Sequence, residues 1–243
     1  MNNNKVWLIT GASRGIGLAI AKRVIAAGDR AAILARGDAV HQIAGELGER
    51  CLGCQADVSD AEQVQAAIDK LISHWGSLDV VVNNAGMHRG GKLGRLALED
   101  WQQVMDTNLT GTLNVCSAAG HHLDSGGAIV NIGAVVGFRG FPGDSAYAAS
   151  KAGIAGLTRA LAIELAKRQI CVNLVIPGLV LTEMTGELSE KALESMRKTI
   201  PMGRYGDPDE IAEVVEWVAR SRYMTGAFVP VDGGLMSSFG IAG

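Results

Sequence analysis

Tyr147 and Lys151 stand four residues apart in an Ala-rich, helix-prone run, SAYAASKAG, that follows a loop broken by Gly and Pro. Positions i and i+4 share one helical face, so a phenol and an ammonium converge there. A phenol titrates near ~10 and is a sluggish acid–base group at neutral pH. A neighbouring ammonium favours the phenolate and should bring it toward working range. Such a tyrosine can exchange a proton with a carbonyl oxygen. Taken alone, Y-x-x-x-K arises by chance on many helices; its weight comes from its company.

The first companion is TGASRGIG, which begins at Thr10, at the end of the apolar run VWLIT, and leads into a helical stretch. Gly11, Gly15 and Gly17 give the spacing G-x-x-x-G-x-G. Glycine permits a tight turn and lets a phosphate approach the backbone, while the helix N-terminus supplies N–H donors and positive potential. A tight strand–helix turn alone would use the same glycines, but the position after the first strand of a βαβ unit favours a dinucleotide. At the end of the second strand, AAILARG, Ala35 stands where an NAD binder usually carries an acid, and Arg36 follows. Arg14, in the glycine turn, can reach the same place. Two guanidiniums favour a 2′-phosphate through forked hydrogen bonds, hence NADP(H). Asp38, two residues beyond Arg36, argues the other way.

The elements that must position these groups alternate along the chain. VWLIT, AAILA, CLGCQA, LDVVVN, AIVNI, CVNLVI and AFVPVD read as strands, mostly apolar throughout and so buried on both faces. Helical stretches lie between them at Gly15–Ala27, Ala39–Leu47, Ala61–Trp75, Leu98–His121, Tyr147–Lys167 and Pro208–Ala219. Alternation of this kind predicts an α/β fold, a Rossmann-like doubly wound parallel sheet with helices on both faces. Ligands in such folds bind beyond the carboxyl ends of the strands, so functional residues should directly follow strands. The 243 residues carry no Pro/Ser-rich linker or charge run, which points to a single domain over 1–243. A net charge of −3 with scattered basic residues argues against nucleic acid and anionic membranes. No run is long enough for a signal peptide or membrane span, so a cytoplasmic protein is expected. Cys51 and Cys54 form a lone C-x-x-C in a strand, where i and i+3 face opposite sides. His121 and His122, adjacent on a helix, point apart. No metal site is expected from either pair.

Together these motifs make the sequence resemble the short-chain dehydrogenases/reductases over essentially its whole length. The matching residues are TGASRGIG, ADV from Ala56, NNAG from Asn83, the Asn108 of TNL, YAASK, and PG-x-x-x-T from Pro177 to Thr182. IPMGRYGDPDEIA from Ile200 and VDGG from Val231 look most like the 3-oxoacyl-[acyl-carrier-protein] reductase branch. The resemblance implies reduction of a ketone to a secondary alcohol by NADPH, with Tyr147 as proton donor. It implies that Gly11, Ala12, Ser13, Arg14 and Ile16 hold the pyrophosphate and the phosphorylated ribose. Asp57 and Val58 would contact adenine, Asn84 and Gly86 would flank its ribose, and Val180 and Thr182 would position the nicotinamide carboxamide. Asn108 would interrupt a long helix and hold a water relaying protons to Lys151, which would also bind the nicotinamide ribose. A homotetramer paired through the two long helices is implied as well. Other readings remain open: an oxidoreductase of small secondary alcohols or cyclic ketones, and a non-catalytic NADP(H)-binding sensor.

Two departures bear on the substrate. The family's substrate-orienting serine lies thirteen residues before the tyrosine, and here that position is Ala134. A methyl group cannot donate to a developing oxyanion, and losing one such donor typically costs ~10²–10³ in rate. Three accounts fit: a deliberate Ser→Ala change that slows turnover, a natural reductase in which Ser145 or His88 substitutes, or a protein that binds cofactor without reducing anything. Secondly, HHLDSGGA from His121 has no Lys or Arg where the carrier-protein reductases dock an acidic carrier, although Lys167 and Arg168 remain nearby. The segment from Glu183 to Arg204 reads as a lid, with Met184, Leu188, Leu193 and Met196 as apolar contacts.

Overall fold

β-branched and small apolar runs form seven strands in the computed structural model, which describes residues 4–181 and 190–238. They are β1 Val6–Thr10, β2 Arg30–Ala35, β3 Cys51–Gln55, β4 Leu78–Asn83, β5 Leu123–Ile132, β6 Cys171–Pro177 and β7 Phe228–Val231. The helices are α1 Gly15–Ala26, α2 Ala39–Leu47, α3 Ala61–Trp75, α4 Leu98–Met105, α5 Gly111–Gly120, α6 Ser145–Leu165, α7 Glu190–Arg197 and α8 Pro208–Arg220. The sheet is wholly parallel in the order β3-β2-β1-β4-β5-β6-β7. The expected α/β doubly wound sheet is therefore the fold.

Strand alternation sorts the core into two layers. In β1, Trp7 and Ile9 pack with Ile20, Val24, Val40, Val215 and Val218 of α1, α2 and α8. Val6 and Leu8 point the other way, into Val64, Ile68, Leu71 and Val115 of α3 and α5. Every β1 side chain is buried, which at ~1.5–3 kcal/mol for each large apolar group makes this strand the mechanical centre of the sheet. Cys54 joins the second layer while Cys51 packs against the first, so the C-x-x-C thiols do face opposite sides.

Helix starts follow local chemistry. Asp60 caps α3 by accepting from Glu62 and Gln63 N–H, and Asp207 forms a capping box with Glu210 at α8. The long helix from Leu98 is interrupted at Asn108, as the resemblance implies: a π turn at Asp106–Thr110 lies between α4 and α5. β5 begins five residues before the expected AIVNI, because Leu123 pairs with Leu78 ahead of a register shift.

Strand order reverses at β1. The chain moves outward through β2 and β3, then returns through α3 to lay β4 against β1 on its other side. A crevice opens at such a reversal, beyond the carboxyl ends of β1 and β4. Thr10 fastens it: its Oγ1 donates to Val82 O and accepts from the Asn84 and Ala85 N–H groups.

Candidate active site

Beyond the carboxyl ends of the strands lies a cavity of about 1610 Å³, lined by Gly11 after β1, Gly86 after β4, Ala134 after β5 and Gly178 after β6. Single-ligand pockets usually span ~300–1,000 Å³, so this one has room for a dinucleotide and a second reactant side by side.

At one end is the glycine turn. Gly11 adopts φ +64°, and a Cβ there would stand 2.7 Å from Ala85 Cα. At Gly17 a Cβ would meet Gly11 O at 2.5 Å and Asn84 Nδ2 at 2.6 Å. Only glycine lets the turn and the post-β4 segment close on each other. Asn84 Nδ2 seals them by donating to Thr10 O and Gly11 O, each at 3.0 Å. Ser13, Arg14 and Ile16 face the cavity with the start of α1. Ala12 does not: it is fully buried, and its N–H donates to Leu34 O, so that amide is committed to the sheet.

Arg36 and Val58 also line the cavity, near the end expected to receive the phosphorylated ribose and adenine. Asp57 is not among the lining residues; its carboxylate accepts from Ser59 N and Oγ and lies 3.9 Å from Arg36. Asp38 is exposed and stays outside the lining. Two guanidiniums at this end suit a doubly charged phosphate. Val180 lines the opposite end. Thr182, Met184 and Leu188 lie outside the described residues. Met196 of α7 faces the cavity, whereas Leu193 does not, its carbonyl accepting from Tyr205 OH.

At the reacting end, α6 places Tyr147 and Lys151 on one face, with Nζ 5.6 Å from the phenol ring centroid. Lys151 Nζ donates to Ile132 O at 2.9 Å, which anchors the amine at the end of β5. Burial pushes the Lys151 ammonium down to about 8. Tyr147 is pushed up to about 12, first by burial and then by the Asp144 carboxylate. The expectation that the lysine lowers the phenol is thus reversed in the protein alone. Desolvation outweighs a cation whose own charge is weakened by the same burial. Tyr147 is a protonated phenol at neutral pH, the form a proton donor needs.

Asn108 sits in the π turn, fully buried and behind the cavity wall. Its Nδ2 donates to Met87 O and Ser150 Oγ, and Oδ1 accepts from Met87 N. Ser150 Oγ donates in turn to Tyr147 O, so Asn108 ties the post-β4 segment to the helix carrying the tyrosine. A Cβ on Gly86 would stand 3.4 Å from Asn108 Oδ1 and 3.7 Å from Lys151 Nζ, so both groups face one point beside that glycine. Nearby, His88 packs edge-on against Tyr147 at 5.3 Å between ring centroids, and its Nε2 lies 2.9 Å from Asp144 Oδ1. Asp144 was not singled out from sequence, because an acid before a helix reads as an ordinary cap. Ala134 lines the cavity.

Comparison with known proteins agrees with this geometry. Residues 11–236 match the family model described as enoyl-(acyl carrier protein) reductase. Carbonyl reductase family member 4 of Danio rerio is 44% identical, the match covering 96% of this chain and 98% of the relative. The 3-oxoacyl-[acyl-carrier-protein] reductase of Homo sapiens is 42% identical over 96% and 98%, and that of Staphylococcus aureus 41% identical over 97% and 99%. Among solved structures, a blue fluorescent protein from a metagenomic library in complex with NADPH superposes with TM-score 0.91 at 37% identity, covering 96% of this chain and 98% of that one. A mutant short-chain dehydrogenase/reductase of Serratia marcescens gives TM-score 0.91 and 37% identity over the same shares. A parallel sheet, a glycine turn and a Tyr–Lys helix in one cavity, with these relatives across nearly the whole chain, place this protein in the short-chain dehydrogenase/reductase family.

Proposed function

We propose that this chain, acting as one domain, is a reductase of 3-oxoacyl-type ketones that uses NADPH and releases a secondary alcohol. The observation that carries the reading is Tyr147 beside Lys151 in the cavity onto which the glycine turn opens. Gly11, Ser13, Arg14, Ile16 and Arg36 hold the phosphates, Val58 the adenine, Asn84 and Gly86 the ribose side, and Val180 the nicotinamide side. NADPH supplies hydride to the carbonyl carbon when bound. Tyr147 gives its proton to the carbonyl oxygen, and Lys151, steered by Ile132 O, binds beside the phenol and stabilises its charged form as the proton leaves. Asn108 and the space beside Gly86 hold the water that returns a proton toward Lys151.

The relatives named as 3-oxoacyl-[acyl-carrier-protein] reductases support the substrate class. A carrier can dock on the positive charge left at Lys167 and Arg168, although Arg168 braces the fold by donating to Gly120 O and Leu123 O. Exposed Leu98, Leu113 and Ile163 on α4, α5 and α6 support pairing of these helices in a homotetramer. Among the described residues no helix is long and apolar enough to cross a membrane, and the four cysteines are free, which suits a reducing cytoplasm.

The test follows NADPH oxidation with a 3-oxoacyl thioester, a cyclic ketone and an enoyl thioester, each also with NADH. The thioester ketone should be reduced, and Tyr147→Phe should lower that rate by ~10²–10⁴ with NADPH binding intact. Reduction of only the enoyl thioester, or of no substrate, overturns the reading. A sensor would keep cofactor-linked partner binding in the Phe variant.

A further inference from the structure

Ala134 lines the cavity at the position where the resemblance places a serine, and its methyl group cannot donate to a reacting oxygen. Ser145 is exposed and does not line the cavity. Arg139 does line it, but its guanidinium donates to Leu235 O. His88 remains, on the segment after β4, in edge contact with the Tyr147 ring.

Three features hold that imidazole in place. Asp144 occupies the N-cap position of α6 yet makes no side-chain cap bond; its Oδ1 meets His88 Nε2 at 2.9 Å instead. A side-chain cap bond stabilises a helix start, so its diversion is a cost borne for the histidine. Gly91 N–H donates to Gly143 O at 2.8 Å, fastening the two segments together. A Cβ at Gly90 would stand 3.1 Å from His88 Cε1 and 3.3 Å from Gly143 O, so glycine there leaves the ring its space. With Nε2 taken by Asp144, Nδ1 is the nitrogen left to meet a ligand.

We propose that His88, oriented by Asp144, donates a hydrogen bond from Nδ1 to the reacting carbonyl oxygen, the role that the methyl group of Ala134 cannot fill. The inference rests on the ketone-reductase reading. Donation from Nδ1, with Nε2–H on Asp144, requires the imidazolium. The Asp144 hydrogen bond raises the His88 pKa above 6.5, against burial and the charge of the adjacent Arg89. Arg89 is itself drawn toward Asp100 at 3.8 Å. From α6 and its N-cap the groups facing the ring are Tyr147 and Asp144.

The decisive experiment measures kcat for a short 3-oxoacyl thioester in the native chain, His88→Phe, Ala134→Ser and the double variant. Phenylalanine keeps the edge contact with Tyr147 and cannot donate. His88→Phe should lower kcat at least 30-fold, yet less than 3-fold in the Ala134→Ser background, with KM for NADPH unchanged throughout. The native kcat should fall as pH rises through the His88 titration, and Ala134→Ser should flatten that limb. Equal losses in both backgrounds would mean that His88 only braces the fold, and the proposal fails. A second measurement needs no turnover and covers a Phe variant that does not fold. With imidazole ¹⁵N labels and NADP⁺ bound, adding the thioester ketone to the native chain should shift the His88 Nδ1 resonance and raise its pKa. An unmoved resonance overturns the role of His88 even if reduction proceeds. A chain that reduces no ketone refutes the functional reading instead, whatever the resonance does.

Discussion

Replacing Lys151 by methionine should make the protein more stable and inactive. The side chain is 3% exposed, its Nζ donates to Ile132 O, and burial lowers its pKa from 10.5 to about 8. Between those two values the unfolded chain holds a proton that the folded protein has released. Stability therefore rises with pH from about 8 to 10.5, and the whole penalty applies below about 8. At ~1.36 kcal/mol for each step in pKa, the cost of the buried ammonium at pH 7 is roughly 3 kcal/mol. Methionine removes the charge at similar length but leaves the Ile132 carbonyl without its donor, which returns about 1 kcal/mol. The net gain of about 2 kcal/mol corresponds to ~4–8 °C in Tm for a chain of this size. Thermal melts followed by circular dichroism, without dinucleotide, would be run at pH 7 and pH 9.5. The variant should melt higher at pH 7, and its advantage should shrink at pH 9.5. A variant that melts below the native chain at pH 7, or gains equally at both, would refute the account.

Three further outcomes are expected. Gly17→Ala drives a Cβ to 2.5 Å from Gly11 O, a backbone atom that cannot yield, and should cost ~1–3 kcal/mol in urea titrations together with most of the NADPH affinity. Asp29→Ala removes the acceptor shared by Lys5 N–H, Trp7 Nε1–H and Arg220, so it should cost about 3 kcal/mol while NADPH affinity, measured by fluorescence, stays unchanged. Arg36→Ala should raise Kd for NADPH at least tenfold and leave that for NADH within about twofold, since a forked contact to the 2′-phosphate contributes ~1.5–3 kcal/mol.

The fold and the reacting pair were legible because both rest on short-range pattern. Five residues of VWLIT suffice for β1, and the i, i+4 spacing puts Tyr147 and Lys151 on one face. What escaped lies in contacts between distant segments. His88 and Asp144 are 56 positions apart, and nothing in GDSAY shows that the aspartate will abandon its cap for an imidazole. Asp57 was expected at the cavity, but a serine two residues on captures its carboxylate. LDSGG does not look like a strand; it becomes one through Leu78, its partner across the sheet. The direction of the Tyr147 shift was also hidden, since spacing reveals a neighbouring cation but not how little water surrounds it.

The reversal of strand order at β1 sets a timetable for biosynthesis. As the chain emerges, β1, β2 and β3 can associate early, but Thr10 waits for Asn84 and Ala85, 74 and 75 positions downstream. Closing so long a loop is slow, and pairing of this kind dominates folding time in parallel sheets. A nascent polypeptide that stops before β4 has its glycine turn translated but unlatched, so a turn shaped for the dinucleotide must wait for β4.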